Sequence, residues 1–316
     1  MRLSVLLMLN FLSLGSIEFN SGVTSVSNEW QLDSSVNDYG QKIPGIIPVH
    51  FSPDFILSKH RLHSSPSFSP DGNEVYWSVF PRTSEFKHRN ETILFSKKVK
   101  NIWSSAKVAS FSGIHSDGGP FFSHDGEKLY FYSNRPRNEE SKIETKGEIW
   151  YVVRQGEKWG KPQRIELDLD GEKLFFSLSN NNNIYFTSGH GFRGTGVGSV
   201  DIYCAQFMNG MYAKPERLPD IVNSKLFVES DPLISQDEKY LIFYSLEKPE
   251  NIGQYDLYIS YNLGKKQWTK PKNLGASINK GYSRFPKFSP DGRYLFFLRR
   301  DHIFWLDSSF INQYKE

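Results

Sequence analysis

The side chains with the most chemical potential in this sequence lie just ahead of prolines. Asp117 precedes Pro120, Glu229 and Asp231 precede Pro232, Arg284 precedes Pro286 and His63 precedes Pro66. Two carboxylates brought to one point can cleave a glycosidic bond, one as acid and one as base or nucleophile. Asp117, Glu229 and Asp231 are therefore the catalytic candidates of an enzyme reading. Arg135, His190, Arg193, Glu229 and Arg284 are the binding candidates, because mixed cations and acids suit a polar ligand or a peptide. The eight histidines contain no short ligand pair. His63, His115 and His190 would hold a metal only if separate segments brought them together. Gly189-His190-Gly191-Phe192-Arg193-Gly194 spells a dinucleotide fingerprint, but more glycines and a strand follow where a helix N-terminus is required. It reads as a long loop, and no cofactor is expected.

A repeat supplies the elements that must position these groups. Phe68-Ser69-Pro70-Asp71-Gly72 reads as a strand end and a tight turn, with a new strand leaving through Val75-Tyr76-Trp77. Proline presets φ, aspartate bonds the backbone two residues on, and glycine takes positive φ. Versions of this hairpin recur with the serine at 69, 123, 177, 235 and 289, in steps of 54, 54, 58 and 54 residues. A third strand follows each copy, led by an acid in Glu148, Asp201 and Asp256. An aromatic residue then comes three before a proline, as in Trp159…Pro162, Tyr212…Pro215 and Trp268…Pro271, and a short outer strand starts there.

Four strands per repeat make a propeller blade. The fold class expected is all-β, a single five-bladed β-propeller over residues 43–310 with a tail at 311–316. The repeats run near 66–109, 120–165, 174–218, 232–274 and 286–307. The fifth lacks its outer strand, and Pro48-Val49-His50-Phe51 is an orphan of that type. A closing strand within 46–56 is therefore expected beside 303–307. The turn aspartates Asp71, Asp125, Asp237 and Asp291, the acids Glu148, Asp201 and Asp256, and the aromatics Trp159, Tyr212 and Trp268 recur at fixed positions. Such recurrence assigns them to structure. Cys204 reads as a small core residue.

In the turn and the apolar strand after it, the chain resembles the TolB-type, WD-like propeller repeats. More narrowly it is similar to exported bacterial propellers carrying Ser133-Asn134-Arg135-Pro136, the Gly-rich run into Asp201-Ile202-Tyr203, and the pairs Val222-Asn223 and Ile278-Asn279. The resemblance covers residues 43–307. It implies the fold, but it leaves function open among docking platforms, access domains and sugar-active propellers.

The second-to-third-strand loops and the crossovers between blades share one face, around the channel mouth, where sequence variation concentrates. The near balance of 38 basic and 35 acidic residues lacks the basic stripe of a nucleic-acid binder. Arg2 and the apolar run from Leu3 to Leu14 fit a secretory signal over residues 1–16, too short to span a bilayer in the mature chain. A polar leader follows over 17–42. Together these features read as a periplasmic or secreted recognition module, non-catalytic, binding a protein or polysaccharide partner at the channel mouth. The alternative is a glycan hydrolase or lyase using carboxylates there, with or without a divalent metal.

Overall fold

The computed structural model describes residues 39–56, 60–82, 90–137, 141, 143–189, 200–246 and 248–315. Five antiparallel sheets, each of four main strands, form the blades of a propeller. Blade 1 splits its inner strand into Arg61–Leu62 and Ser67–Phe68, then continues through Glu74–Phe80, Thr92–Val99 and Lys107–Val108. Blade 2 runs outward through Asp117–Phe122, Lys128–Ser133, Glu148–Gln155 and Gln163–Arg164. Blade 3 comprises Glu172–Leu178, Ile184–Gly189, Val200–Ala205 and Glu216–Arg217. Blade 4 comprises Val228–Ile234, Tyr240–Leu246, Tyr255–Gly264 and Lys272–Asn273. Blade 5 takes Ser283–Phe288, Tyr294–Arg299 and His302–Asp307, and Val49–His50 pairs with the last of these, Val49 opposite Trp305.

The second strands are apolar on both faces because both faces are packed. Side chains alternate across a strand, so Val75, Trp77 and Val79 of blade 1 turn toward Phe296, Leu298 and Trp305 of blade 5. Tyr76, between them, turns the other way, toward Leu129 and Phe131 of blade 2. Further clusters fill the interfaces of blades 2 and 3, 3 and 4, and 4 and 5. Burying one such aromatic or aliphatic side chain contributes about 1.5–3 kcal/mol.

The turn aspartates act locally. Asp71 Oδ1 accepts from Ser69 Oγ at 2.5 Å and from Asn73 N at 3.1 Å, and Gly72 sits at φ 70°. Ser69 Oγ also accepts from Glu74 N at 2.9 Å, which ties the two strands across the turn. The recurring aromatics join blades: Trp159 Nε1 donates to the Tyr76 hydroxyl at 2.8 Å. The third-strand acids are also engaged. Glu148 faces Lys173 and Arg137, Asp201 pairs with Arg217 at 2.7 Å, and Asp256 accepts from the backbone of Ile252 and Gly253.

Beyond blade 5 a 3₁₀ helix spans Ser308–Tyr314, with Asp307 Oδ1 accepting from Ser309 N at 2.8 Å as its cap. Phe310 and Ile311 are buried in the interface of blades 4 and 5, so the segment expected to be a tail from residue 311 begins with a core residue. No helix among the described residues is long and apolar enough to cross a membrane.

Candidate functional site

Four inner strands break their ladder at the same place. Register shifts fall between Gly118 and Phe121, Leu174 and Phe176, Ser230 and Leu233, and Arg284 and Lys287. Each bulge holds a residue in the left-handed region: Gly119 at φ 58°, Phe175 at 41°, Asp231 at 53° and Phe285 at 55°. Ser65 holds the equivalent position in the split strand of blade 1. A bulge re-aims side chains, and here groups from blades that are not neighbours meet. The rings of Phe175 and Phe285 lie 5.4 Å apart, and Tyr132 of blade 2 packs edge-on to Phe175 at 5.3 Å. Left-handed backbone costs on the order of 1 kcal/mol or more in a non-glycine residue. Asp231 and the two phenylalanines are held against that cost.

Two carboxylates belong to this cluster. Glu91, one residue ahead of the third strand of blade 1, accepts from Ser78 Oγ at 2.6 Å and from the Tyr132 hydroxyl at 2.8 Å, and His63 Nδ1 lies 2.9 Å from it. Asp231 Oδ2 accepts from the backbone N–H of Phe285 at 3.0 Å, with Arg284 Nε 3.8 Å away. Burial pushes the Asp231 carboxyl above the usual range, against the opposing pull of Arg284, the Phe285 N–H and His63. The Arg284 guanidinium lies 3.9 Å from the centre of the Phe285 ring, and its Nε has no hydrogen-bond partner among the described residues. His63 and Arg284 keep 16% and 23% of their side-chain surface exposed, so they are the edge of the cluster that a ligand would meet.

Gly118 makes room for this arrangement. A Cβ built there would overlap Glu91 Oε1 and the Tyr132 hydroxyl. Gly118→Ala is expected to displace Glu91 and to lower stability by about 1–3 kcal/mol. Gly45→Ala, where a Cβ meets nothing within 4 Å, serves as the control. Equal urea midpoints for the two variants would refute the close approach.

The structure separates the other candidates. Asp117 is bound within blade 2, accepting from Arg135 Nη2 and from Ser133 Oγ, both at 2.7 Å. Glu229 is bound within blade 4 by Lys248 at 3.3 Å, Ser245 Oγ at 3.1 Å and Ser224 N at 3.0 Å. Asp117, Glu229 and Arg135 thus belong to ion pairs inside single blades, whereas Asp231 and Arg284 reach the axial cluster. His63 faces Glu91, while His115 Nδ1 lies 3.7 Å from Glu144, a different carboxylate. His190 and Arg193 lie outside the described residues. Among those residues no group of three or more metal-ligating side chains occurs. Glu91 and Tyr132 carry little signal in the sequence: Glu91 is the middle residue of the glycosylation sequon Asn90-Glu91-Thr92, and Tyr132 reads as strand.

No protein-family model matches the sequence, and no curated protein matches it, so the TolB-type resemblance rests on its motifs. Solved structures do match. One described as a glycoside hydrolase aligns with TM-score 0.52 and 8% identity, over 84% of this chain and 91% of its own. BT0996, solved as an RGII complex, aligns with TM-score 0.50 and 8% identity, over 84% and 92%. An alpha-L-arabinofuranosidase from Lactobacillus brevis aligns at 13% identity over 77% and 89%, with TM-score 0.47. At such identities the likeness is one of fold, a β-propeller, and the count of five blades is read from this chain's own sheets.

Proposed function

We propose that the channel mouth is a glycan-cleaving site in which Asp231 is the general acid and Glu91 its partner. The observation that carries this reading is that two carboxylates share the same neighbours: His63 lies 2.9 Å from Glu91 and also acts electrostatically on Asp231. Burial favours a protonated Asp231, the form an acid needs. Glu91 accepts hydrogen bonds from the Ser78 and Tyr132 hydroxyls. In the reaction Asp231 gives its proton to the glycosidic oxygen as the bond to the anomeric carbon breaks. Glu91 either takes a proton from the water that adds to that carbon or bonds to it first and is displaced by water. Arg284 and the aromatic rings around it suit a sugar face and its hydroxyls. The fold agrees, since a solved propeller of similar architecture is described as a glycoside hydrolase.

The test is release of reducing ends from a panel of neutral and acidic polysaccharides. Asp231→Asn and Glu91→Gln are expected to lower release by roughly 100-fold or more while thermal midpoints show both variants folded. Wild-type release should fall as pH rises through the raised Asp231 pKa, because the acid loses its proton there. Undiminished release by both variants would sink the assignment.

Non-catalytic recognition at the same mouth is the second reading, favoured by the depth of the carboxylates: Glu91 is 3% and Asp231 4% exposed. It predicts a wild type that retains a polysaccharide or protein partner without cleaving it, with retention lost in Arg284→Ala. We place either activity in the periplasm or outside the cell, on the strength of the apolar stretch behind Arg2. Recovery of mature protein that still begins at Met1 would remove that placement.

A further inference from the structure

On the turn face, away from the carboxylate cluster, a groove of about 470 Å³ lies between blade 4 and the C-terminal 3₁₀ helix. That volume is within the roughly 300–1,000 Å³ of ordinary ligand sites. The cavity at the turn-face end of the channel, at about 80 Å³, is below it. Tyr240 and Tyr261 are directly opposite each other on adjacent strands, with ring centres 6.0 Å apart, and Tyr314 stands across from them on the helix. The charged side chains lining the groove are Lys239, Lys272, Lys315 and Asp237, three positive against one negative, a balance of +2. The single acid is paired with Lys239, whose Nζ lies 2.7 Å from Asp237, and Lys272 Nζ donates to the Tyr314 carbonyl at 3.4 Å. A second recess of about 290 Å³ shares Tyr240 and Lys315 and adds Arg293.

The geometry points to this groove as a binding site for an acidic oligosaccharide, with sugar rings against the tyrosines and uronate carboxylates on the lysines. The Tyr261 and Tyr314 hydroxyls already donate to the carbonyls of Ile311 and Leu274, so what these rings offer a pyranose is their flat apolar face. The lysine excess selects a carboxylate-bearing sugar over a neutral one. An acidic peptide fits less well. Strand-like peptide docking needs free backbone donors, and the wall's amides are in use: Tyr261 N donates to Thr269 Oγ1, Thr269 N to Tyr261 O and Asn262 N to Lys239 O. The site stands on the opposite face from the proposed hydrolytic centre and does not depend on cleavage.

Calorimetry with trigalacturonate, galactotriose and hexaglutamate on the full chain tests the assignment. It is run on wild type and on Asp231→Asn, so that turnover and binding are read apart. Trigalacturonate is expected to bind both proteins equally, at least tenfold tighter than galactotriose or hexaglutamate. Its affinity should fall as salt rises. Tyr261→Ala should weaken it at least tenfold and the surface pair Lys239→Gln/Lys315→Gln at least fivefold. The second variant keeps the test decisive if loss of Tyr261 disturbs folding. No binding of trigalacturonate, equal binding of galactotriose or hexaglutamate, or full affinity in Lys239→Gln/Lys315→Gln would overturn the assignment. Loss of binding in Asp231→Asn would move the site to the channel mouth and overturn it too.

Discussion

Replacing Arg135 with methionine is expected to lower the stability of the propeller by about 3–5 kcal/mol at neutral pH, the usual consequence of stranding one partner of a buried ion pair. Asp117 is fully buried and Arg135 nearly so. Once the guanidinium is gone, the Asp117 carboxylate keeps only hydroxyl partners among the described residues, Ser133 and Ser112. Burial already pushes its pKa up, and Arg135 is the largest influence pulling it down. In the variant the carboxyl therefore takes up a proton on folding. The deficit should be small near pH 4, where the unfolded chain also approaches protonation, and should grow toward neutral pH. Methionine preserves the packing against Phe131 and Trp150, whose ring centres lie 4.9 and 5.4 Å from the guanidinium carbon. The double variant Arg135→Met/Asp117→Leu should recover most of the loss, because a hydrophobic replacement removes both charges together. Urea unfolding at pH 4.5 and 7 reads all of this. A single-variant loss below about 1 kcal/mol, or a double variant no better than the single, would show that the pair behaves like a surface one.

The second large effect concerns Lys287, buried where blades 5, 1 and 2 meet. Its Nζ donates to the carbonyl oxygens of Ser65, at 3.2 Å, and Pro120. Burial lowers its pKa to about 7, with Glu91 and Asp231 acting in the opposite direction. The folded chain thus sheds this proton near pH 7, whereas the unfolded chain keeps it to about 10. Between those limits the unfolded state binds more protons, so this group makes stability rise with pH by roughly 1 kcal/mol per unit. Wild type should therefore gain stability from pH 7 to about 9.5, before the tyrosines reverse the trend. Lys287→Met should be more stable than wild type at pH 7 and should lose the slope. A wild-type profile flat over that window, or an unchanged slope in the variant, would mean that Lys287 stays charged in the folded protein.

What can be read from the sequence divides along a physical line. The blades are legible because a turn such as Ser69-Pro70-Asp71-Gly72 encodes its own geometry, and because strands such as Tyr76-Trp77-Ser78-Val79 must be apolar on both faces to sit between blades. The prolines at 120, 232 and 286 mark the place where the inner strands change register, which is why Asp231 and Arg284 stand out. Pairing is not legible. Asp117 and Glu229 look like Asp231 in sequence, yet Arg135 lies 18 residues from Asp117 and reaches it only because Asp117 pairs with Ser133 on the neighbouring strand and Arg135 bends back onto Ser133 Oγ. Glu91 is hidden for a related reason. It stands one residue ahead of the position where blades 2, 3 and 4 carry an acid, and only the three-dimensional approach allowed by Gly118 turns it toward the axis.

The bulge that recurs in the inner strands amounts to a set of addresses. Each blade delivers one backbone position to the axis and shields it from the hydrogen-bonded ladder on either side. The residue there can change while the sheet that carries it stays the same. Serine, glycine, phenylalanine, aspartate and phenylalanine occupy the five addresses at 65, 119, 175, 231 and 285. New ligand chemistry could be written at these positions, with glycine, asparagine or aspartate favoured at the four that hold the left-handed backbone, 119, 175, 231 and 285. The propeller then acts as a rigid socket whose contents are set by five residues, and redesign of its specificity would begin with those.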